Sequence, residues 1–267
     1  MRKIIVAGFF LIGLALFGCS EFQKVQKSDD IDRKLAAAMK YYDKKDYYKA
    51  NVLFDEIMPL LKGRPEAEKA QYYYAYTFYN DKQYQMSAYY FRDLVETYPR
   101  SEYAEESMFM HVKSLYKDSP NFKLDQSNTE DALFAIESFV KRFPKSKYIA
   151  EINKITDELN SKVEYKTYES AKLYHKLRIY KSAVVAFNEF LEKYPSSVYC
   201  EEIAFLRLES QYELAKHSIV GPKQKERYNE AIDFYHSFID TYPSSKFKNE
   251  AEEIFSEVTE KLAKIQS

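Results

Sequence analysis

Glycine is scarce in this 267-residue chain, at 5 residues, and tryptophan is missing altogether. With only 8 prolines besides, turn-formers are too few for the many short strands of a β-sandwich or barrel, and no alternating apolar run is bounded by turns. The same shortage leaves no glycine-rich loop to cradle a phosphate. Cysteine occurs only at Cys19 and Cys200, too few for a disulfide framework. The four histidines, His111, His175, His217 and His236, are isolated, and no His-Glu-x-x-His or nucleophile-elbow spacing occurs. No metal or cofactor is expected, and an enzyme is the remotest reading. The net charge of −1 gives no electrostatic footprint for nucleic acid.

Long hydrophobic runs are nearly absent too. The exception is Ile4 to Phe17, fourteen mostly apolar residues behind the basic pair Arg2-Lys3. That falls short of the roughly 20 residues a spanning helix needs, so residues 1–18 read as a cleaved export signal. Without Arg2 and Lys3 the mature chain has 38 basic against 41 acidic residues, near −3. Leu16-Phe17-Gly18-Cys19 closes the run and resembles the lipobox of bacterial lipoproteins, although Phe17 stands where a small residue is usual. The resemblance implies cleavage before Cys19 and acyl chains on that residue, which at ~0.8 kcal/mol per buried CH₂ anchor a protein to a bilayer. Ser20 after the cysteine resembles the signal for outer-membrane delivery. An ordinary secretory leader with a coincidental cysteine is the alternative. Residues 19–30 read as lipidated cysteine and polar tether, and Cys200 as a small packed residue.

What the chain does have is a repeat. Tyr98-Pro99-Arg100-Ser101, Phe143-Pro144-Lys145-Ser146, Tyr194-Pro195-Ser196-Ser197 and Tyr242-Pro243-Ser244-Ser245 are four copies of one junction, each followed by an aromatic: Tyr103, Tyr148, Tyr199 and Phe247. Twelve residues before each proline stands a small residue, Ser87, Ala132, Ala183 or Ala231. Apolar residues follow it at offsets 4, 7, 8 and 11, one face of an α-helix. Proline stops that helix and pushes the preceding aromatic out of α geometry; the serine is placed to cap the next helix. A looser copy runs from Tyr47 to Pro65. Pro65 to Pro99 spans 34 residues, the period of a tetratricopeptide repeat (TPR). The expected fold is all-α: a solenoid of about five TPR-like helix pairs over 31–63, 65–99, 101–144, 146–195 and 197–243, with a capping helix at 246–265. Extra length between paired helices falls at 118–128 and 217–225, while 149–177 reads as one long helix. Glu105-Glu106, Glu201-Glu202 and Glu252-Glu253 lie in first or second turns of helices, where they complement the helix dipole and face water.

Such an array holds other chains, and its 26 tyrosines are where to look. In the second repeat Tyr74, Ala75 and Phe78 take packing positions. Lys69, Tyr72, Tyr76 and Tyr79 then fall on the face that lines the concave groove; the same count places Leu35, Met39 and Tyr42 there in the first repeat. An aromatic wall with hydroxyls suits extended or aromatic-ended peptides. Simple packing on neighbouring helices is the competing reading for these tyrosines. His175-Lys176-Leu177-Arg178 makes a basic turn in the fourth repeat, with Arg178 the candidate for docking an acidic partner and a solvated turn the alternative.

A lipobox leader, a short tether and five TPR-like repeats together resemble the BamD family, lipoproteins of the outer-membrane β-barrel assembly (BAM) machine. The closest stretches are Tyr98 to Ala104 and Asp125 to Tyr148. The resemblance implies a scaffold on the periplasmic side of the outer membrane. Its C-terminal repeats, about 171–265, would bind the barrel insertase BamA. Its N-terminal groove would take the C-terminal signal of unfolded outer-membrane proteins. The tyrosine-rich second repeat departs from the usual family pattern. Two rivals stay open: another periplasmic TPR lipoprotein coordinating cell-wall synthesis or envelope integrity, and a glycan-binding lipoprotein.

Overall fold

The computed structural model describes residues 21–266; the export signal and the proposed lipidation site Cys19 lie outside the described residues. Helices α1 (21–26), α2 (Ile31–Asp43) and α3 (Tyr47–Ile57) open the chain, with a 3₁₀ turn at Met58–Leu60. Four further pairs follow: α4 (Ala67–Asn80) with α5 (Tyr84–Thr97), α6 (Ala104–Asp118) with α7 (Ser127–Arg142), α8 (Ile149–Lys176) with α9 (Tyr180–Lys193), and α10 (Cys200–Lys216) with α11 (Pro222–Thr241). The last helix is α12 (Lys248–Gln266). No strand occurs among the described residues. The fold is all-α and TPR-like. The chain forms two compact units, the first ending at Leu159 and the second starting at Asn160. In the first unit each helix from α2 to α7 packs on its sequence neighbour; in the second, α9 to α12 do the same.

The small-residue rule is why the helices can approach. Ser87, Ala132, Ala183 and Ala231 are all buried, as are the offset-7 residues Leu94, Phe139, Phe190 and Phe238. A larger side chain at Ala183 would overpack the interface by typically 1–3 kcal/mol. Offset 8 is looser than its apolar character suggests: Val140 is 38% exposed. The aromatics before proline hold one geometry throughout, with φ between −124° and −128° and ψ between 59° and 68° at Tyr98, Phe143, Tyr194 and Tyr242. That is the non-helical backbone a following proline demands.

The junction serines do something other than the expected helix cap. Their Oγ atoms accept from the backbone N–H of the aromatic two residues on (Ser101 from Tyr103, Ser146 from Tyr148, Ser197 from Tyr199, Ser245 from Phe247), closing a side-chain turn before the helix begins. Each turn seats its aromatic against the first helix of the hairpin just finished. Tyr103 lies 4.5 Å from Tyr72, Tyr148 is stacked 4.1 Å from Phe109, Tyr199 4.2 Å from Tyr168, and Phe247 4.7 Å from Phe205.

Three of the corners inside hairpins are left-handed at a charged residue: Lys45 (φ 60°), Lys82 (φ 62°) and Arg178 (φ 59°). At each, the amide of that residue bonds three residues back and the next amide five back, as in Lys45 N–H to Tyr42 and Asp46 N–H to Tyr41. This is the Schellman ending, where glycine is the usual occupant. Within the stretch read as tether, 21–26 is helical and Val25 is buried, with Phe22 edge-on to Tyr41 at 5.6 Å.

Candidate functional site

The tyrosine face belongs to α4 and lies wholly in the first unit. Lys69 is exposed, while Tyr72, Tyr76 and Tyr79 are half-buried. Edge-on aromatic contacts run without a break along it: Tyr47 to Tyr42 (5.5 Å), Tyr42 to Tyr73 (4.9 Å), Tyr73 to Tyr72 (5.3 Å), Tyr72 to Tyr76 (4.9 Å), Tyr76 to Tyr79 (6.5 Å) and Tyr79 to Tyr84 (5.6 Å). Edge-to-face pairing at these separations is what the ring quadrupole favours. Met39 and Leu35 of α2 pack against the same hydrophobic cluster as Tyr42 and Tyr73. So Lys69, Tyr72, Tyr76 and Tyr79 share a face, and Tyr73, which spacing alone did not single out, joins them to Tyr42.

Two of the hydroxyls on this wall are already engaged. Tyr72 and Tyr76 both donate to Glu106 Oε1, at 2.7 and 2.6 Å, and Tyr148 donates to Glu106 Oε2 at 3.1 Å. Burial raises the pKa of Tyr72 and Tyr76, and the bond to Glu106 raises it further, so both keep their protons. Burial alone would push the Glu106 carboxyl up; the bonds from Tyr76, Tyr72 and Tyr148, aided by Lys147, outweigh it and hold the pKa below its ordinary value. Tyr42 is pushed up to about 12, mainly by burial and then by Tyr47.

Glu106 and its neighbour are therefore not the water-facing pair that dipole arguments suggest. Glu105 accepts from Ser146 Oγ at 2.6 Å. The second unit repeats the device: Glu201 accepts from Ser245 Oγ at 2.6 Å, and Glu202 accepts from Tyr168 at 2.8 Å and from Lys172 Nζ at 2.7 Å. Only Glu252 and Glu253, where no later junction follows, stand exposed. The recurrence of both the carboxylate pair and the post-serine aromatic was the available signal for this arrangement.

Arg178 occupies a different place, the left-handed corner between α8 and α9 in the second unit, and it is exposed. Together with His175, Tyr180, Glu209, Glu213, Lys216 and His217 it lines an open cleft of about 550 Å³. His175 Nδ1 is 2.9 Å from Ser210 Oγ, and Tyr180 stacks on His217 at 6.3 Å. Leu173, Leu177 and Ile179 stand exposed around the corner, with Leu177 at 58%. Among the described residues no cluster of His, Cys, Asp and Glu is arranged to hold a metal, and no helix is long and apolar enough to cross a membrane.

Comparison with known proteins adds to this geometry. The sequence model of the YfiO family, described as an outer membrane lipoprotein, matches residues 32–185 and 168–266. A putative outer membrane protein assembly factor BamD from Aquifex aeolicus (strain VF5) is 27% identical over 226 residues, covering 84% of this chain and 72% of the relative. The outer membrane protein assembly factor BamD of Rickettsia prowazekii (strain Madrid E) is 23% identical over 217 residues, covering 80% and 85%. Among solved structures, the TPR2AB domain of yeast Sti1 aligns over 86% of this chain and 98% of its own, at 14% identity and a TM-score of 0.41.

Proposed function

Since this chain belongs to the YfiO (BamD) family of outer membrane lipoproteins, we propose that it is a scaffold for outer-membrane protein assembly. It works without chemistry, by holding two kinds of polypeptide. The family match across both compact units is the observation that carries the reading, and the names of the two relatives agree with it. Acyl chains on Cys19 fix the protein to the periplasmic leaflet of the outer membrane. The tyrosine wall receives the aromatic-ended C-terminal segment of an unfolded barrel protein. The corner at Arg178, with Leu177 and Ile179 beside it, docks on periplasmic domains of a BamA-type insertase.

Because Glu106 occupies the hydroxyls of Tyr72 and Tyr76, the ring faces of the wall, together with Tyr79 and Lys69, are the parts that meet peptide. This separates two classes of variant. Tyr72→Phe and Tyr76→Phe keep the rings and bind a barrel-derived C-terminal peptide as the parent does. Tyr79→Ala removes a ring and weakens that capture about tenfold, the usual order for one aromatic contact. Fluorescence anisotropy with a labelled peptide measures both; equal binding by Tyr79→Ala takes the wall out of the site. In the cell, depletion of the protein empties the outer membrane of its barrel proteins, and their persistence would refute the assembly role.

A further inference from the structure

As an open tether, the chain from Cys19 to Ile31 would reach about 40 Å, at ~3.6 Å per residue, and leave the first hairpin free of its anchor. Helix α1 removes that freedom. It lies antiparallel to α2: Glu21 pairs with Lys40 at 3.6 Å and Phe22 meets Tyr41 at 5.6 Å, near the end of α2. At the other end of α1, Gln26 donates to Glu56 Oε1 at 3.1 Å, and Glu56 also takes Lys34 from early in α2. Val25 is buried between them. Lys49 of α3 lies over the rings of Phe22 and Tyr41, 6.0 and 5.4 Å from their centres.

Phe22, held beside the corner between α2 and α3, is therefore about 11 Å of chain from Cys19 at full extension. A headgroup layer is itself about 5–7 Å deep. With acyl chains on Cys19 set in the hydrocarbon, that corner stands at the leaflet. Its side chains suit the place. Lys44, Lys45 and Tyr48 are exposed, Tyr48 by 71%, and Lys24 is exposed on α1. Of the acids nearby, Glu21 is matched by Lys40 and Asp46 by Lys49 at 2.6 Å, which leaves Asp43 against three lysines. A ring with a hydroxyl favours the boundary between water and lipid. Each lysine beside an anionic leaflet strengthens binding about fivefold.

We propose that the α2–α3 corner rests on the bilayer, with Lys44 and Lys45 on anionic phospholipid headgroups and Tyr48 at the boundary. The first hairpin then stands end-on to the membrane, and α1 is the strut that sets its direction. This placement in the cell rests on the acylation of Cys19 proposed above; the affinity of the corner for anionic lipid does not.

The chain has no tryptophan, so a single one can be introduced as reporter. The mature chain from Cys19 is coupled through that thiol to a maleimide lipid, in vesicles of phosphatidylethanolamine and phosphatidylglycerol; Cys200 is buried. Tyr48→Trp reports the corner. Leu60→Trp, at a site 57% exposed past the other end of α3, is the control, about 18 Å away at 1.5 Å per residue. A spin label on the lipid headgroup should quench Tyr48→Trp about threefold more strongly than Leu60→Trp. Adding Lys44→Gln and Lys45→Asn, or omitting phosphatidylglycerol, should cut that quenching to about half or less; asparagine tolerates the left-handed backbone at Lys45. Equal quenching of the two reporters, or quenching indifferent to both changes, overturns the contact. So does a Tyr48→Trp signal that answers only to BamA-type periplasmic domains, which makes the corner a face for protein. The natural modification is read separately, from the mass of the protein taken from cell envelopes. If Cys19 is unmodified there, the acylation reading falls and the lipid-binding corner is judged by the vesicles. If Cys19 is acylated and the reporters are quenched equally, the corner falls alone.

Discussion

Glu106 gathers more of the candidate surface than any tyrosine does. It accepts from Tyr72, Tyr76 and Tyr148, and hydrogen bonds to a charged acceptor contribute more than neutral ones. Glu106→Gln keeps one acceptor oxygen but loses the charge, so the variant should be about 1–2 kcal/mol less stable at neutral pH. The pH dependence has a definite sign. Because the folded pKa is lowered, the contribution is complete above the unfolded carboxyl value of about 4.3 and is lost as pH falls through the folded one. Urea unfolding of both proteins at neutral and strongly acid pH should show the difference shrink in acid. A constant difference would mean that shape, not charge, is what Glu106 provides.

At the level of the helix, corners and junctions differ in how readable they were. The face at offsets 4 and 7 could be read because burial repeats with helical period, and Phe187 and Phe190 are buried as expected. The junction geometry could be read because proline acts on its immediate neighbour. The corners could not: Lys45, Lys82 and Arg178 take a conformation that usually selects glycine, and a charged residue there gives no signal. The carboxylate–hydroxyl links were hidden for another reason. Glu106 and Tyr72 are 34 residues apart, and their meeting depends on how one hairpin lies on the next. Arg178 can now be tested without confusing turn and charge. Left-handed geometry costs an ordinary residue about 1–2 kcal/mol, and glycine relieves it at some entropic expense in the unfolded chain. Arg178→Gly should therefore melt within a few degrees of the parent or above it. A drop in its affinity for insertase domains then belongs to the lost guanidinium; undiminished affinity would leave Arg178 as a turn residue alone.

Across the whole molecule, tyrosine replaces tryptophan as the large aromatic, with 26 copies. Many are held protonated beyond their ordinary range: Tyr74 and Tyr212 by burial and then by hydrogen-bonded neighbours, and Tyr228 by burial. Unfolded tyrosines ionise near pH 10. With the folded values raised, this contribution to stability is intact below that pH and is lost as pH climbs through them. The protein should unfold cooperatively in alkali, with phenolate absorbance and loss of helical ellipticity rising together. Phenolate appearing well before helix loss would show that the rings titrate in place.

Three successive hairpins meet at one carboxylate: α4 sends two phenols, α6 supplies the acid, and the turn ahead of α8 sends a third. Such a knot makes local breathing expensive, since opening any one hairpin strands polar groups of the other two. Rings tied down in this way stand in position beforehand, so a chain that docked on them, as proposed, would carry the ordering cost itself.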